Sequence, residues 1–431
     1  MTRPTLATLS DPLAQHFLDP EFSGIGGVIK QRVEDFLVSE IPLYETCGEG
    51  EHIYLRLRKT GVSHAEMMAT VRNAFRVPEK AIGYAGMKDK QGVTEQTISV
   101  HMHEDPPRID LGHTRIEVLD ATRHTNKLRM GHLKGNRFSI RIREVDPFKA
   151  PLVLKQLRML EYKGMPNYFG PQRFGYRRNN HVIGSLVLNQ DWTGMLDELL
   201  GSNGSPFPEY QAPRRGLYDE GHYREAMSQW AKADRAELAA LRALTQGASP
   251  DDACQRMGRT MLSFYANAFQ SAAFNRVLDG RLERGTLDRL EEGDLAWKHD
   301  SRSVFGVTQD ELASGELEPR LEKLEISPSG PLWGKGMTRA GGGVDEREVI
   351  AIASLGMEVK SLLESPRVPK GARRPMRETL TNSSLESGVD EHGGYIQVAF
   401  DLPRGVYATV VLRELMKNDG EGQRNHVDDR A

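Results

Sequence analysis

Only two cysteines, Cys47 and Cys254, occur in 431 residues, and they lie far apart. That excludes a disulfide framework and a four-cysteine zinc site, and makes a reducing cytoplasm the expected compartment. No stretch approaches the ~18 apolar residues of a membrane-spanning helix. The opening Met-Thr-Arg-Pro-Thr-Leu-Ala lacks the apolar core of a secretion signal. A Gly-Lys-Ser/Thr phosphate loop is missing. Gly24-Ile25-Gly26-Gly27 fails as a dinucleotide loop because Ile29 stands where the third glycine belongs. His101 and His103 could share one face of a strand but lack a third ligand. His64, Cys47 and Cys254 do not form a zinc-deaminase signature, which needs paired cysteines near a His-x-Glu. No dinucleotide loop and no metal site is therefore expected. An excess of positive charge is also lacking: 57 Lys and Arg against 60 Asp and Glu leave a net charge of −3.

What is present is an ordinary globular composition, 38% hydrophobic and 27% charged, on a chain long enough for two or three domains. The charge is unevenly placed. Residues 121–143 carry seven Lys or Arg and no acid, and residues 366–377 carry five and no acid. Residues 281–325 carry twelve acids against seven bases. The two acid-free runs suit either a solvated basic face or a nucleic-acid surface.

Residues 1–22 and 418–431 read as loosely ordered. Residues 52–59 alternate, with Ile53, Leu55 and Leu57 on one face and Tyr54, Arg56 and Arg58 on the other, as in a half-buried strand. Ser63-His64-Ala65-Glu66 has the form of a capping box. Met67, Met68, Val71 and Phe75 follow at helical spacing, and Pro78 is expected to close that helix. Residues 81–86, 97–102 and 114–119 read as strands. Residues 137–143 alternate Phe138, Ile140 and Ile142 against Arg137, Ser139, Arg141 and Arg143, and an arginine row of that kind suits a phosphate backbone. Residues 152–162 read as a helix, 200–217 as a long loop, and 221–245 and 257–284 as helical. Gly341-Gly342-Gly343 reads as a flexible turn and 366–377 as a linker. The strand-like 395–400 and the apolar helix 407–417 need a buried partner. The N-terminal strands can supply it, which makes the domain discontinuous.

The segment Gly83-Tyr84-Ala85-Gly86-Met87-Lys88-Asp89-Lys90-Gln91-Gly92 sets one acid between two cations among small residues. It could be a charged surface turn. It also suits a nucleophilic carboxylate, which flanking positive charge keeps ionised and which glycines leave open to a substrate.

Three further segments lie in order along the chain. They are Gly135-Asn136-Arg137-Phe138, then Asn167-Tyr168-Phe169-Gly170-Pro171-Gln172-Arg173-Phe174-Gly175, then Leu402-Pro403-Arg404-Gly405-Val406-Tyr407-Ala408-Thr409 leading into Leu412-Arg413-Glu414-Leu415. With Ile29-Lys30, the run from Glu34 to Glu40, and the run from Ser327 to Gly334, they make the chain resemble the TruD family of pseudouridine synthases from about residue 24 to about 417.

The resemblance implies an α+β fold: a pseudouridine-synthase catalytic domain with a mixed, largely antiparallel sheet flanked by helices. It implies a discontinuous catalytic domain, residues 1–165 and 370–431, interrupted by a family-specific domain at 166–369. It implies an isomerase that converts uridine to pseudouridine in tRNA without cofactor or metal, most often uridine 13 of the D-arm. Asp89 matches the family's catalytic aspartate, Phe138 the aromatic that packs on the base, and Asn136 and Lys30 its neighbours. Lys88 and Lys90 would oppose desolvation of Asp89, and Arg173 is a candidate phosphate contact. Phe138 shares strand parity with Ile140 and Ile142, so it could be core; the resemblance favours a place where the ring borders the pocket. Gly92 stands where the family often has alanine. The implied partner is tRNA and not a membrane, and a monomer is expected. The alternative is a non-catalytic tRNA-binding or folding protein on the same scaffold.

Overall fold

The computed structural model describes residue 13 and residues 16–104 and 109–418. The expectations for the two ends fall largely outside these residues. Among them, no helix is long and apolar enough to cross a membrane. The chain divides into two compact units, one of residues 19–165 with 378 onward, the other of residues 166–377 with the segment ending at Leu18.

The first unit is built on an eight-stranded sheet. Its elements are β1 (Phe36–Pro42), β2 (His52–Thr60), helix α1 (His64–Phe75), β3 (Ile82–Tyr84), β4 (Val93–His101), β5 (Ile116–His124), β6 (Leu133–Arg143) and helix α2 (Ala150–Lys163). After the other unit come β7 (Thr381–Asp390), β8 (Gly393–Pro403) and helix α3 (Ala408–Met416). The strand order is β7-β8-β6-β1-β4-β2-β5, with β3 also on β4. β1 runs parallel to β4, and the other pairings are antiparallel. β8 lies along most of β6, from Tyr395 opposite Arg143 to Pro403 opposite Gly135. The last strands of the chain therefore complete a sheet begun by the first. α3 is almost wholly buried, and Leu415 and Met416 accept backbone hydrogen bonds from Ile25 and Gly26.

α1 begins where Ser63 Oγ accepts from the Glu66 amide at 3.1 Å, a side-chain cap. Only half of the capping box forms, because the Glu66 carboxylate turns to His113 and Arg115. The helix ends at Arg76, which takes a left-handed backbone (φ 53°), two residues ahead of Pro78. Met67, Met68, Val71 and Phe75 are buried against Ile53, Leu55 and Leu57 of β2.

The second unit has its own core around the 25-residue helix Arg259–Glu283. A four-stranded sheet joins Ala372–Pro375, Ile326–Leu332, Leu295–Lys298 and Val304–Gly306 in that order. Three expectations change here. Residues 200–217 include the start of a helix, Ala212–Asp219. Gly341 caps, and Gly342 begins, the helix Gly342–Ser354, so the glycine triplet is a helix start. Residues 366–377 are no linker: Ala372–Pro375 pairs with Ile326–Leu332. The buried Arg373 binds the Glu348 carboxylate at 2.7 and 2.9 Å, and the buried Arg377 donates to Ser327 and to the Leu321 and Ile326 carbonyls. Those arginines are internal ties, not a surface for nucleic acid.

Candidate active site

β4 organises the site. One of its edges carries β1 opposite Val93–Glu95 and β3 opposite Ile98–Val100. The chain leaves β3 at Tyr84 and enters β4 at Val93, so the Lys-Asp-Lys segment is a loop joining two paired strands. Two of its glycines, Gly83 and Gly92, answer to the protein's own packing. A Cβ on Gly83 would lie 2.2 Å from the Leu128 carbonyl oxygen. Gly92, at φ +154°, would place one 2.6 Å from that of Phe36. These glycines let the loop lie against its own sheet, rather than leaving room for a substrate as expected.

Asp89 is half exposed, with 51% of its side chain accessible, and the Lys30 ammonium stands 3.6 Å from its carboxylate. Lys30 takes a left-handed backbone (φ 58°), a conformation that costs a non-glycine residue about 1 kcal/mol or more and that clusters at functional sites. The ammonium also lies 4.4 Å from the centre of the Phe36 ring. The sequence neighbours behave differently. Lys90 is exposed. Lys88 turns away, its ammonium 2.6 Å from Asn136 Oδ1 and 3.3 Å from Glu40 Oε2. The sheet register explains this bridge, since Glu40 on β1 sits directly opposite Asn136 on β6. Burial pushes the Glu40 carboxyl up from its ordinary range, and Lys88 opposes that rise. Lys30 is thus the cation placed beside Asp89, while Lys88 fixes Asn136 and Lys90 projects outward.

Phe138 is 8% exposed. Its ring lies between Phe36, edge-on with centroids 6.5 Å apart, and Phe400 of β8, 5.8 Å away. Phe138 therefore belongs to an aromatic row with Phe36, the ring over which the Lys30 ammonium lies.

The arginine row of β6 is also committed within the unit. Arg143 grips Asp35 with two 2.7 Å hydrogen bonds and reaches Asp390 at 3.0 Å. Arg141 binds Asp390 and Gln397 and lies over Tyr395. Arg137 binds Asp401 at 2.9 Å. Hydrogen bonding from Arg143 holds the Asp390 carboxyl down at about 2. Each arginine faces an acid from a distant stretch of chain, and so the row staples the sheet instead of presenting a phosphate track.

Arg173 belongs to the other unit. Its Nε donates to Ser271 Oγ at 3.0 Å, and its guanidinium lies near the Phe169 and Phe264 rings. Arg177 is buried, donating to the carbonyls of Glu198 and Pro206.

Sequence reading missed Lys59. Its side chain is fully buried, and its ammonium donates to the main-chain carbonyls of Val62 and Asp89, each at 2.7 Å, with Lys88 O at 3.4 Å. Burial pulls its pKa down to about 8. The signal was available, because Lys59 continues the inward parity of Ile53, Leu55 and Leu57, and a charge on an apolar face requires a reason. Among the described residues no group of His, Cys, Asp and Glu could hold a metal ion.

The family profile described as tRNA pseudouridine synthase D (TruD) matches residues 15–415. The chain is 40% identical over 411 residues to tRNA pseudouridine synthase D of Geobacter sulfurreducens, covering 94% of this chain and 98% of the relative. It is 38% identical over 409 residues to that of Syntrophotalea carbinolica, covering 94% and 99%. A crystal structure assigned to tRNA pseudouridine synthase D of Methanosarcina mazei superposes with a TM-score of 0.79 at 26% identity, covering 97% of this chain and 99% of that one. By sequence along nearly its whole length, and by fold, the chain belongs to the tRNA pseudouridine synthase D family.

Proposed function

We propose that the protein isomerises uridine to pseudouridine in tRNA, at uridine 13 of the D-arm, with Asp89 as its catalytic carboxylate. The observation that carries this reading is the placement of Asp89: half exposed, on a loop joining the paired strands β3 and β4, with the Lys30 ammonium 3.6 Å away. In the reaction the C1′–N1 bond breaks, the base turns, and C5 bonds to C1′. C5 loses a proton and N1 gains one. Nothing is oxidised or reduced and no atom is added. A carboxylate can drive the first step in two ways, by attacking C1′ or by taking a proton from C2′ as the base leaves. Both need the carboxylate form of Asp89, and the Lys30 ammonium stands 3.6 Å from it.

The target nucleotide must first leave its stack, at a cost of roughly a few kcal/mol. Lys30, Asn136 and the aromatic row of Phe36, Phe138 and Phe400 are the groups on hand to receive it. Lys88 holds the Asn136 carboxamide oxygen, which leaves its NH2 group to donate to the base. Arg173, Lys90 and Lys30 are candidate contacts to the RNA backbone. We place the protein in the cytoplasm, acting as a monomer, since the groups assigned to the chemistry all come from one unit.

The test is a pseudouridine map of tRNA treated with wild type and with Asp89→Asn. Wild type is expected to mark one D-arm position. The variant is expected to bind tRNA with unchanged affinity and leave no mark. Normal turnover by Asp89→Asn would refute the catalytic assignment. tRNA binding by wild type without any pseudouridine would favour a non-catalytic tRNA-folding role.

A further inference from the structure

We propose that the Lys59 ammonium is a positioning group that fixes the main chain at Asp89, and that its protonated form is the active one. The inference rests on the reading of Asp89 as the catalytic carboxylate. An ammonium has three N–H donors and no acceptor. Lys59 meets three carbonyl oxygens: Val62 O and Asp89 O at 2.7 Å, and Lys88 O at 3.4 Å. Among the described residues no carboxylate is paired directly with it. A buried charge satisfied by main-chain oxygens alone is a poor device for stability. It is a good device for fixing a loop, because it ties two consecutive carbonyls of the Lys-Asp-Lys segment to the turn that follows β2. The side chain of Asp89 leaves the very residue whose carbonyl is held.

Deprotonation would undo this. A neutral amine has two N–H groups and a lone pair, so one of the three carbonyls would lose its donor and face electron density instead. The surroundings set where that happens. Burial is the largest influence and disfavours the charge; Asp89 and Glu66 favour it, and Lys88 opposes it. On α1, His64 is a further titratable neighbour, its two ring nitrogens buried and, among the described residues, without hydrogen-bond partners. Burial first, and then Lys59, keep that ring neutral. The midpoint for Lys59 falls at about 8, within an ordinary assay range.

The experiment is single-turnover pseudouridine formation on tRNA from near neutrality to mildly alkaline pH, for wild type, Lys59→Met and Lys59→Arg. The wild-type rate is expected to fall as pH rises through about 8. Near neutrality Lys59→Met should be slower by about 10- to 100-fold, as for a small misplacement of a catalytic group, with tRNA affinity unchanged and a flat profile in this range. Lys59→Arg, which stays charged, should move the fall to higher pH. Ionisation of the uracil ring would produce a fall that persists in Lys59→Met, so its disappearance identifies the lysine. If Lys59→Met does not fold, ¹³Cε NMR of wild-type lysines decides, with Lys59 assigned by its absence from the Lys59→Arg spectrum. Its titration midpoint should coincide with the kinetic one, and a separation above about one pH unit overturns the inference. So does a Lys59→Met rate within about twofold of wild type. Failure of wild type to modify tRNA at all, or full activity of Asp89→Asn, would instead overturn the proposed function beneath it.

Discussion

Substituting Lys88→Met keeps all but the last atom of the side chain's length and deletes its charge, stranding Glu40. The Lys88 and Glu40 side chains are 7% and 3% exposed, and the other Glu40 oxygen accepts from the Thr97 amide at 3.4 Å. An uncompensated buried carboxylate typically costs about 3–5 kcal/mol. Protonation caps that cost. Starting from an ordinary carboxyl value of 4.5, protonating the group near pH 7 costs about 3 kcal/mol, and near pH 5.5 about 1 kcal/mol. The sign is that of a carboxyl whose folded value is raised: the folded state binds the extra proton, so stability declines as pH climbs above the unfolded value. The variant should therefore lose about 3 kcal/mol near neutrality and only about 1 kcal/mol near pH 5.5. Urea unfolding can measure it. All four tryptophans, Trp192, Trp230, Trp297 and Trp333, belong to the unit spanning 166–377. Their fluorescence serves as an internal control, while amide exchange in β1 and β6 reports the affected unit. Adding Glu40→Gln to Lys88→Met should restore most of the loss. Equal losses at both pH values, or a double variant as unstable as the single one, would refute the reasoning.

Other outcomes follow from groups already placed. Arg143→Leu abandons Asp35 in a buried site and should destabilise the sheet by about 3–5 kcal/mol in denaturant melts, with Asp35→Leu/Arg143→Leu recovering much of it. Lys59 should move stability and rate in opposite directions. Its folded value of about 8 lies below the ordinary 10.5, so the unfolded chain binds more protons between them. Stability from this group should rise over that window by up to about 3 kcal/mol while turnover falls. Comparing wild-type and Lys59→Met melts across the window checks this, and a wild-type curve that tracks the variant would count against it.

Much of the sheet was legible because its signals are local. Alternation marked β2 and β6, helical spacing marked the buried face of α1, and the strand-like 395–400 demanded a partner that β6 supplies. What was not legible depends on pairing across distance. Runs of arginine look alike whether they face water or carboxylates. Only the fold brings Asp35 and Asp390 to Arg143, or Glu348 to Arg373. The cation beside Asp89 was sought among its chain neighbours, yet Lys30 reaches it from 59 positions away. The glycine triplet at 341–343 looked like a turn because glycine favours turns; it starts a helix. Lys59 was overlooked although parity alone set it on the apolar face.

The late position of β8 bears on how the molecule is made. During synthesis β6 emerges with Phe138, Ile140 and Ile142 along it, and more than two hundred further residues must follow before its neighbour exists. The intervening segment is contiguous and can acquire its own core while still tethered to the ribosome. Throughout that interval β6 can pair with β1 on one side only, and its other edge is open to non-native partners. Slow elongation through residues 144–392 would prolong the exposure, and a message truncated before β8 would yield a chain with one finished half and an unclosed, chaperone-dependent other.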